Sequence, residues 1–140
     1  MALFGGKSSP QPSAAVAIAV DLAEEGILRM RLSGEIDGPQ VQQAIARVRA
    51  LMVNRRARIC LIDAMAVTGI DASMRAPGLD LFRLLKGYSI PSCVVATASP
   101  LVRLVASTLG MASGLRVEIV ATSEMAVQRV QKGLRAGGKE

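Results

Sequence analysis

An α/β fold is what this sequence predicts: a single domain built on a small mixed β-sheet with about four helices. Three observations carry that expectation. Short aliphatic runs alternate with stretches of helical periodicity from about residue 14 to residue 133. The later strand-like runs are each separated by a helix-like one, which demands crossover connections and therefore a mainly parallel sheet. Only the first two strand-like runs are joined by a tight turn, which adds an antiparallel hairpin at the start. At 140 residues with 51% hydrophobic side chains, the chain suffices for one domain and one core.

The elements follow in order. Val16, Ile18 and Val20 alternate with alanines, Glu24-Glu25-Gly26 punctuates a turn, and Ile27 to Leu32 alternates again. In that second run Leu28, Met30 and Leu32 point one way and Arg29 and Arg31 the other, a strand with one wet face. Asp37-Gly38-Pro39 opens a helix with an N-cap acid and a first-turn proline. Val41, Ala44, Ile45, Val48, Leu51 and Met52 recur along it at helical spacing. Arg58 to Ile62 reads as a strand buried on both faces, and a second helix runs to about Lys86 and stops at Gly87. Ser92 to Ala96 is another buried strand. Ser99-Pro100 starts a third helix with Val102, Val105 and Leu109 on one stripe. Arg116 to Val120 is the last strand, and Ser123-Glu124 opens a terminal helix with Ala126, Val127 and Val130 inward. Residues 1–13, rich in Gly, Ser and Pro, and residues 134–140 read as flexible tails flanking a domain at 14–133.

Composition removes several kinds of chemistry. The chain has no histidine, so it holds no Ser-His-Asp or Cys-His pair and no histidine metal site. Cys60 and Cys93 are too few for a disulfide scaffold or a four-cysteine zinc site, and both fall in expected buried strands. Gly69 and Gly78 are isolated and fit no phosphate-binding loop. No cofactor and no enzymatic activity are expected. The net charge of +6 gathers largely in Arg47, Arg49, Arg55, Arg56 and Arg58, a stretch without an acid. With so few aromatic residues to stack bases, it reads as a solvated face or partner patch and not as a nucleic-acid site. No run spans a bilayer and no export signal is evident, so a cytoplasmic protein is expected.

The segment from Leu61 to Leu85 is the most informative. It reads as a strand, Asp63 at its end, a loop at Ala64–Ile70, then Asp71-Ala72-Ser73 and a helix. Asp37, Asp71 and Glu124 each stand where a helix start wants an acceptor or a negative charge. Across such a loop Asp63 and Asp71 would approach one another. Ser73, beside a helix start, is also suited to regulation. A phosphate there adds nearly two negative charges next to free backbone N–H groups, with Arg75 at hand to pair with it.

Four stretches resemble the STAS domains, in particular the SpoIIAA-like bacterial anti-sigma-factor antagonists. Arg31-Leu32-Ser33-Gly34-Glu35-Ile36-Asp37 is similar to the family's L-[ST]-G-E-[IL]-D turn. Ile70-Asp71-Ala72-Ser73 is similar to its D-S-S element. Ala98-Ser99-Pro100-Leu101-Val102-Arg103-Leu104 is similar to its S-P-x-V-x-x-L helix start, and Ser123-Glu124 to the S-E before its last helix. The resemblance implies helices mainly on one face of the sheet and a binding module in place of an enzyme. It also implies that Ser73 stands at the serine which a partner kinase phosphorylates. The chain departs from the family after that serine, where Met74-Arg75-Ala76-Pro77 precedes Gly78-Leu79. Pro77 would clash with the carbonyl of Ser73 in a helix running through both, so the helix is expected to begin at Pro77.

The function expected is therefore protein binding through the loop and helix at 67–86, with Asp63, Asp71, Ser73, Met74, Arg75 and Leu79 as contact residues. Ser73 is the candidate phosphoacceptor and Thr68 its nearest competitor. The partner expected is an anti-sigma-type kinase or an ATPase. The alternative is a STAS-like carrier or sensor of an apolar small molecule, suggested by Met65, Met74, Leu79 and Met111, or, as the resemblance implies, a subunit of a transport ATPase complex. A monomer and a homodimer both fit the sequence.

Overall fold

The computed structural model describes residues 17–138, with no side-chain description for the last two of these. Five strands form one sheet in the order β1-β2-β3-β4-β5: β1 Ile18–Leu22, β2 Ile27–Ile36, β3 Ile59–Ile70, β4 Ser92–Ala96 and β5 Arg116–Val120. β1 pairs antiparallel with β2, and every later pair is parallel. The helices are α1 Gly38–Leu51, α2 Arg75–Gly87, α3 Pro100–Ser113 and α4 Ser123–Gly138, with a 3-10 turn at Ala72–Met74 leading into α2. The order of elements is the expected one. The 1–13 tail and Val16 lie outside the described residues.

Side-chain alternation divides the sheet between two cores. Leu28, Met30, Cys60, Ile62, Cys93 and Val95 face α1, α2 and α3, whose Val48, Leu85 and Leu109 are buried against them. Ile59, Leu61, Val94 and Ala96 point to the other face, where Ala126 and Val130 of α4 cover them. Three helices thus share one face and α4 takes the other. β3 and β4 are buried on both faces, which is why their sequences read as unbroken apolar runs.

Local chemistry explains the helix starts. The Asp37 side chain accepts the Gln40 N–H at 3.0 Å while the Gln40 side chain accepts the Asp37 N–H at 2.9 Å, a reciprocal cap with Pro39 in the first turn. Ser99 accepts the Val102 N–H ahead of Pro100. Thr122 accepts the Met125 N–H at the start of α4.

Four boundaries differ from expectation. β2 does not turn at Ser33-Gly34-Glu35; it continues to Ile36. β3 runs to Ile70, so Ala64–Ile70 is strand and not loop. The alternation was hidden because β3 gains a residue on β2 at two register shifts, between Arg31 and Ser33 and between Gly34 and Glu35. Such extra residues break the period of two on which a sequence reading depends. α2 begins at Arg75, two residues before Pro77. The proline sits in the first turn, where its missing N–H has no partner to lose, and the tighter 3-10 turn before it carries Ser73 out of the α-helical path. Last, α4 continues past residue 133 to Gly138, because Leu134, one turn beyond Val130, packs on the same core.

Candidate functional site

β2 and β3 outrun their neighbours. β1 pairs with β2 as far as Leu32, and β4 pairs with β3 as far as Asp63. Beyond those points Ser33–Ile36 and Ala66–Ile70 form a two-stranded ribbon. The Asp71 N–H donates to the Ile36 carbonyl at 2.8 Å, closing the ribbon just before α1 leaves one strand and the 3-10 turn leaves the other. Ser73 and the start of α1 are thereby pressed together across 35 residues of chain.

The contact is close and polar. The Gly38 N–H, at the first position of α1, donates to Ser73 Oγ at 3.0 Å. A Cβ at residue 38 would lie 2.6 Å from the Ser73 carbonyl oxygen, so only glycine fits. The Ser73 N–H donates to Asp71 Oδ2 at 3.0 Å. The hydroxyl and the amide of Ser73 together hold the Asp71 carboxyl below its ordinary value. One exposed hydroxyl thus joins a carboxylate to the free backbone N–H at the positive end of a helix.

The other candidates divide around this point. Arg75 is exposed on the first turn of α2, beside Ser73. Met74 and Leu79 are half-buried against the main core, so each offers only part of its surface. Thr68 is exposed on the ribbon, at the residue by which β3 exceeds β2 between Gly34 and Glu35. Asp63 is not part of this group. It lies mid-strand on the α4 face, where Oδ2 accepts the Ser123 hydroxyl at 2.8 Å and Oδ1 the Met65 N–H at 3.1 Å. Eight residues of extended β3 put Asp63 roughly 25 Å from Asp71, so the two carboxylates do not converge.

The methionines do not converge either. An apolar cleft with about 60 Å³ of free space lies between the sheet and α1–α3, and of Met65, Met74, Leu79 and Met111 only Met74 lines it. Cys60 and Cys93 face each other in register and are fully buried; the neighbouring thiol and burial push Cys93 well above its ordinary value, which leaves it inert. Among the described residues no group of His, Cys, Asp and Glu could hold a metal ion, and no helix is long and apolar enough to cross a membrane.

No family model and no curated protein sequence matches the chain. Solved structures do. The anti-sigma factor antagonist SpoIIAA in its unphosphorylated form matches with a TM-score of 0.62 and 22% identity, over 82% of this chain and 98% of that one. The Bacillus cell fate determinant SpoIIAA in its phosphorylated form matches at 0.61 and 23% identity, over 81% and 99%. An uncharacterized Shewanella loihica PV-4 protein with a SpoIIAA-like fold matches at 0.59 and 13%, over 80% and 90%. The fold is the SpoIIAA-like, or STAS, fold. At these identities the likeness is one of fold, and it agrees with the five-stranded sheet and its leading antiparallel strand.

Two residues of this STAS-fold site join those named as candidates. Gly38 is legible as part of a helix start, but its need to be glycine comes from Ser73, far along the chain. Gln40 completes the cap of Asp37, a pairing that the spacing of three residues signals to a reader looking for it.

Proposed function

We propose that this chain is a non-enzymatic regulatory protein that binds a protein partner through the ribbon tip, the Ser73 turn and α2, residues 67–86, and that phosphorylation of Ser73 switches the binding. One observation carries the reading: the exposed Ser73 hydroxyl rests on the Gly38 N–H at the start of α1 and beside the Asp71 carboxyl. A phosphate on Ser73 puts close to two negative charges on that point. The helix end and Arg75 attract it; Asp71 repels it. The turn must then rearrange, and with it the surface that leads into α2. The neighbours of the same fold include an anti-sigma factor antagonist solved in phosphorylated and unphosphorylated forms, which supports the reading. A cytoplasmic kinase or ATPase of the anti-sigma type is the partner class that goes with it.

The carrier reading has less to rest on. The apolar cleft, with about 60 Å³ of free space, is far below the roughly 300 Å³ at which ligand pockets begin.

The test is capture from the source cells with the wild-type chain, Ser73→Ala and Ser73→Asp as baits, with phosphopeptide mapping of the cellular protein. The expected result is a kinase or ATPase held by wild type and Ser73→Ala and released by Ser73→Asp, with phosphate on the Ser73 peptide. Equal capture by both variants, with phosphate absent or on Thr68 alone, removes the Ser73 switch. Failure of all three baits to hold a partner removes the binding role.

A further inference from the structure

The two edges of the sheet are treated differently. On β1 the carbonyls of Ile18 and Leu22 face away from β2, and arginine side chains take both. Arg47 donates to the Ile18 carbonyl at 2.8 Å and Arg55 to that of Leu22 at 3.5 Å. Two members of the basic run thus cover an edge that would otherwise offer itself to another strand.

Among the described residues β5, the opposite edge, has no such cover. The Val120 carbonyl accepts the Thr97 N–H, so Arg116, Glu118 and Val120 turn their backbone groups toward β4. Val117 and Ile119 turn theirs outward, and among the described residues nothing bonds to them. Exposed apolar side chains bracket this open edge. Met111 of α3, 86% exposed, lines a cleft with Val117 on one face, and Met125 of α4, 47% exposed, lines another with Val120 on the other.

We propose that β5 pairs antiparallel with β5 of a second copy of this chain, joining two sheets into one across a two-fold axis at Val117. Charge selects both the partner and the register. Arg116 and Glu118 lie two residues apart on the same face of the strand. With Val117 opposite Val117 of the second copy, each Arg116 stands directly across from the other copy's Glu118, twice by symmetry. Glu118 already pairs with Arg129 and would sit between two arginines. A shift of one step sets Glu118 against Glu118, and one further step brings no opposite charges together. In the selected register the two Val117 residues exchange both backbone hydrogen bonds. Arg116 and Glu118 occupy the adjoining pair position, where side chains come closest. Met111 and Met125 of each copy then cover the strand of the other. The Ser73 turn is remote from this edge, so both copies keep that site open.

Sedimentation equilibrium on the full chain tests this. The expected mass is twice that of the chain. Val117→Pro removes an outward N–H that the chain's own sheet does not use and should give a monomer. Met111→Glu, at a side chain with no part in the core, should weaken the dimer by an order of magnitude or more and serves as the control should Val117→Pro unfold the protein. Arg116→Glu and Glu118→Arg should each dissociate the dimer, and the two together should restore it. A wild-type chain that stays monomeric at high concentration overturns the proposal, even where β5 takes up a strand from another protein. So does a dimer that survives Val117→Pro and Met111→Glu.

Discussion

Replacing Gly38 with alanine sets two effects of opposite sign against each other. Gly38 has no left-handed φ, so its backbone accepts alanine without strain, and alanine is the better helix former by up to about 1 kcal/mol. Propensity alone predicts a more stable protein. The packing predicts the reverse. The new Cβ would lie 2.6 Å from the Ser73 carbonyl oxygen and 3.2 Å from its carbon, and a backbone atom cannot swing aside as a side-chain end can. The first turn of α1 and the 3-10 turn must separate, which costs about 1–3 kcal/mol as overpacking. The separation also breaks the 3.0 Å bond from the Gly38 N–H to Ser73 Oγ, for about a further 0.5–1.5 kcal/mol. The net expectation is a loss of about 1–3 kcal/mol, a fall in Tm of about 4–12 °C for a domain of this size. Thermal unfolding followed by circular dichroism reads it directly. An unchanged or higher Tm would refute the claim that glycine is required by the approach of Ser73. Ser73→Ala should cost about 1 kcal/mol by itself and less than that in the Gly38→Ala background, since the bond it removes is already broken.

Gly110→Ala should lower the urea midpoint by an amount matching about 1–3 kcal/mol, because the added Cβ would meet Val117 Cγ2 at 2.7 Å and the Leu115 carbonyl oxygen at 3.2 Å; a midpoint at the wild-type value would mean that β5 yields freely. The Asp71 carboxyl, held below its ordinary 3.8 by Ser73, contributes stability that is present above that value and lost as pH falls through its lower folded value. Carboxyl titration by NMR should find it below 3.8 in the wild type and nearer to it in Ser73→Ala. Cys60 and Cys93 should resist a thiol reagent at mildly alkaline pH in the native protein and react in full once it is unfolded; rapid native labelling would mean that the sheet opens far more often than its burial implies.

What the sequence made legible was whatever depends on neighbours in the chain. The N-caps at Asp37 and Ser99, the turn at Gly26 and the stripe Val41-Ala44-Ile45-Val48 are local, and each stands in the structure as read. Reading failed where a second strand sets the pattern. Ala64 to Ile70 looks like a loop because two extra residues opposite β2 destroy its alternation, and only the partner strand shows that it is paired. Val127 carries an inward-looking spacing but lies 44% exposed, because α4 lies over β3, β4 and β5 and leaves most of the β1–β2 side of that face open.

Whether 64–70 is loop or strand also decides the site. As a loop, 64–70 brings Asp63 to Asp71 and makes a carboxylate pair. As a strand, it holds them at opposite ends of an extended segment and gives Asp63 to Ser123 instead. The same extended segment carries Asp71 and Ser73 out to the ribbon tip, where Ile36 and Gly38 have been carried by β2. A hydroxyl beside the start of its own helix therefore serves the start of a different one. That exchange raises the consequence of modifying Ser73. A cap on α2 would move with α2, whereas a bond to α1 ties two helices and two strand ends together, so a phosphate placed there disturbs all four elements at once.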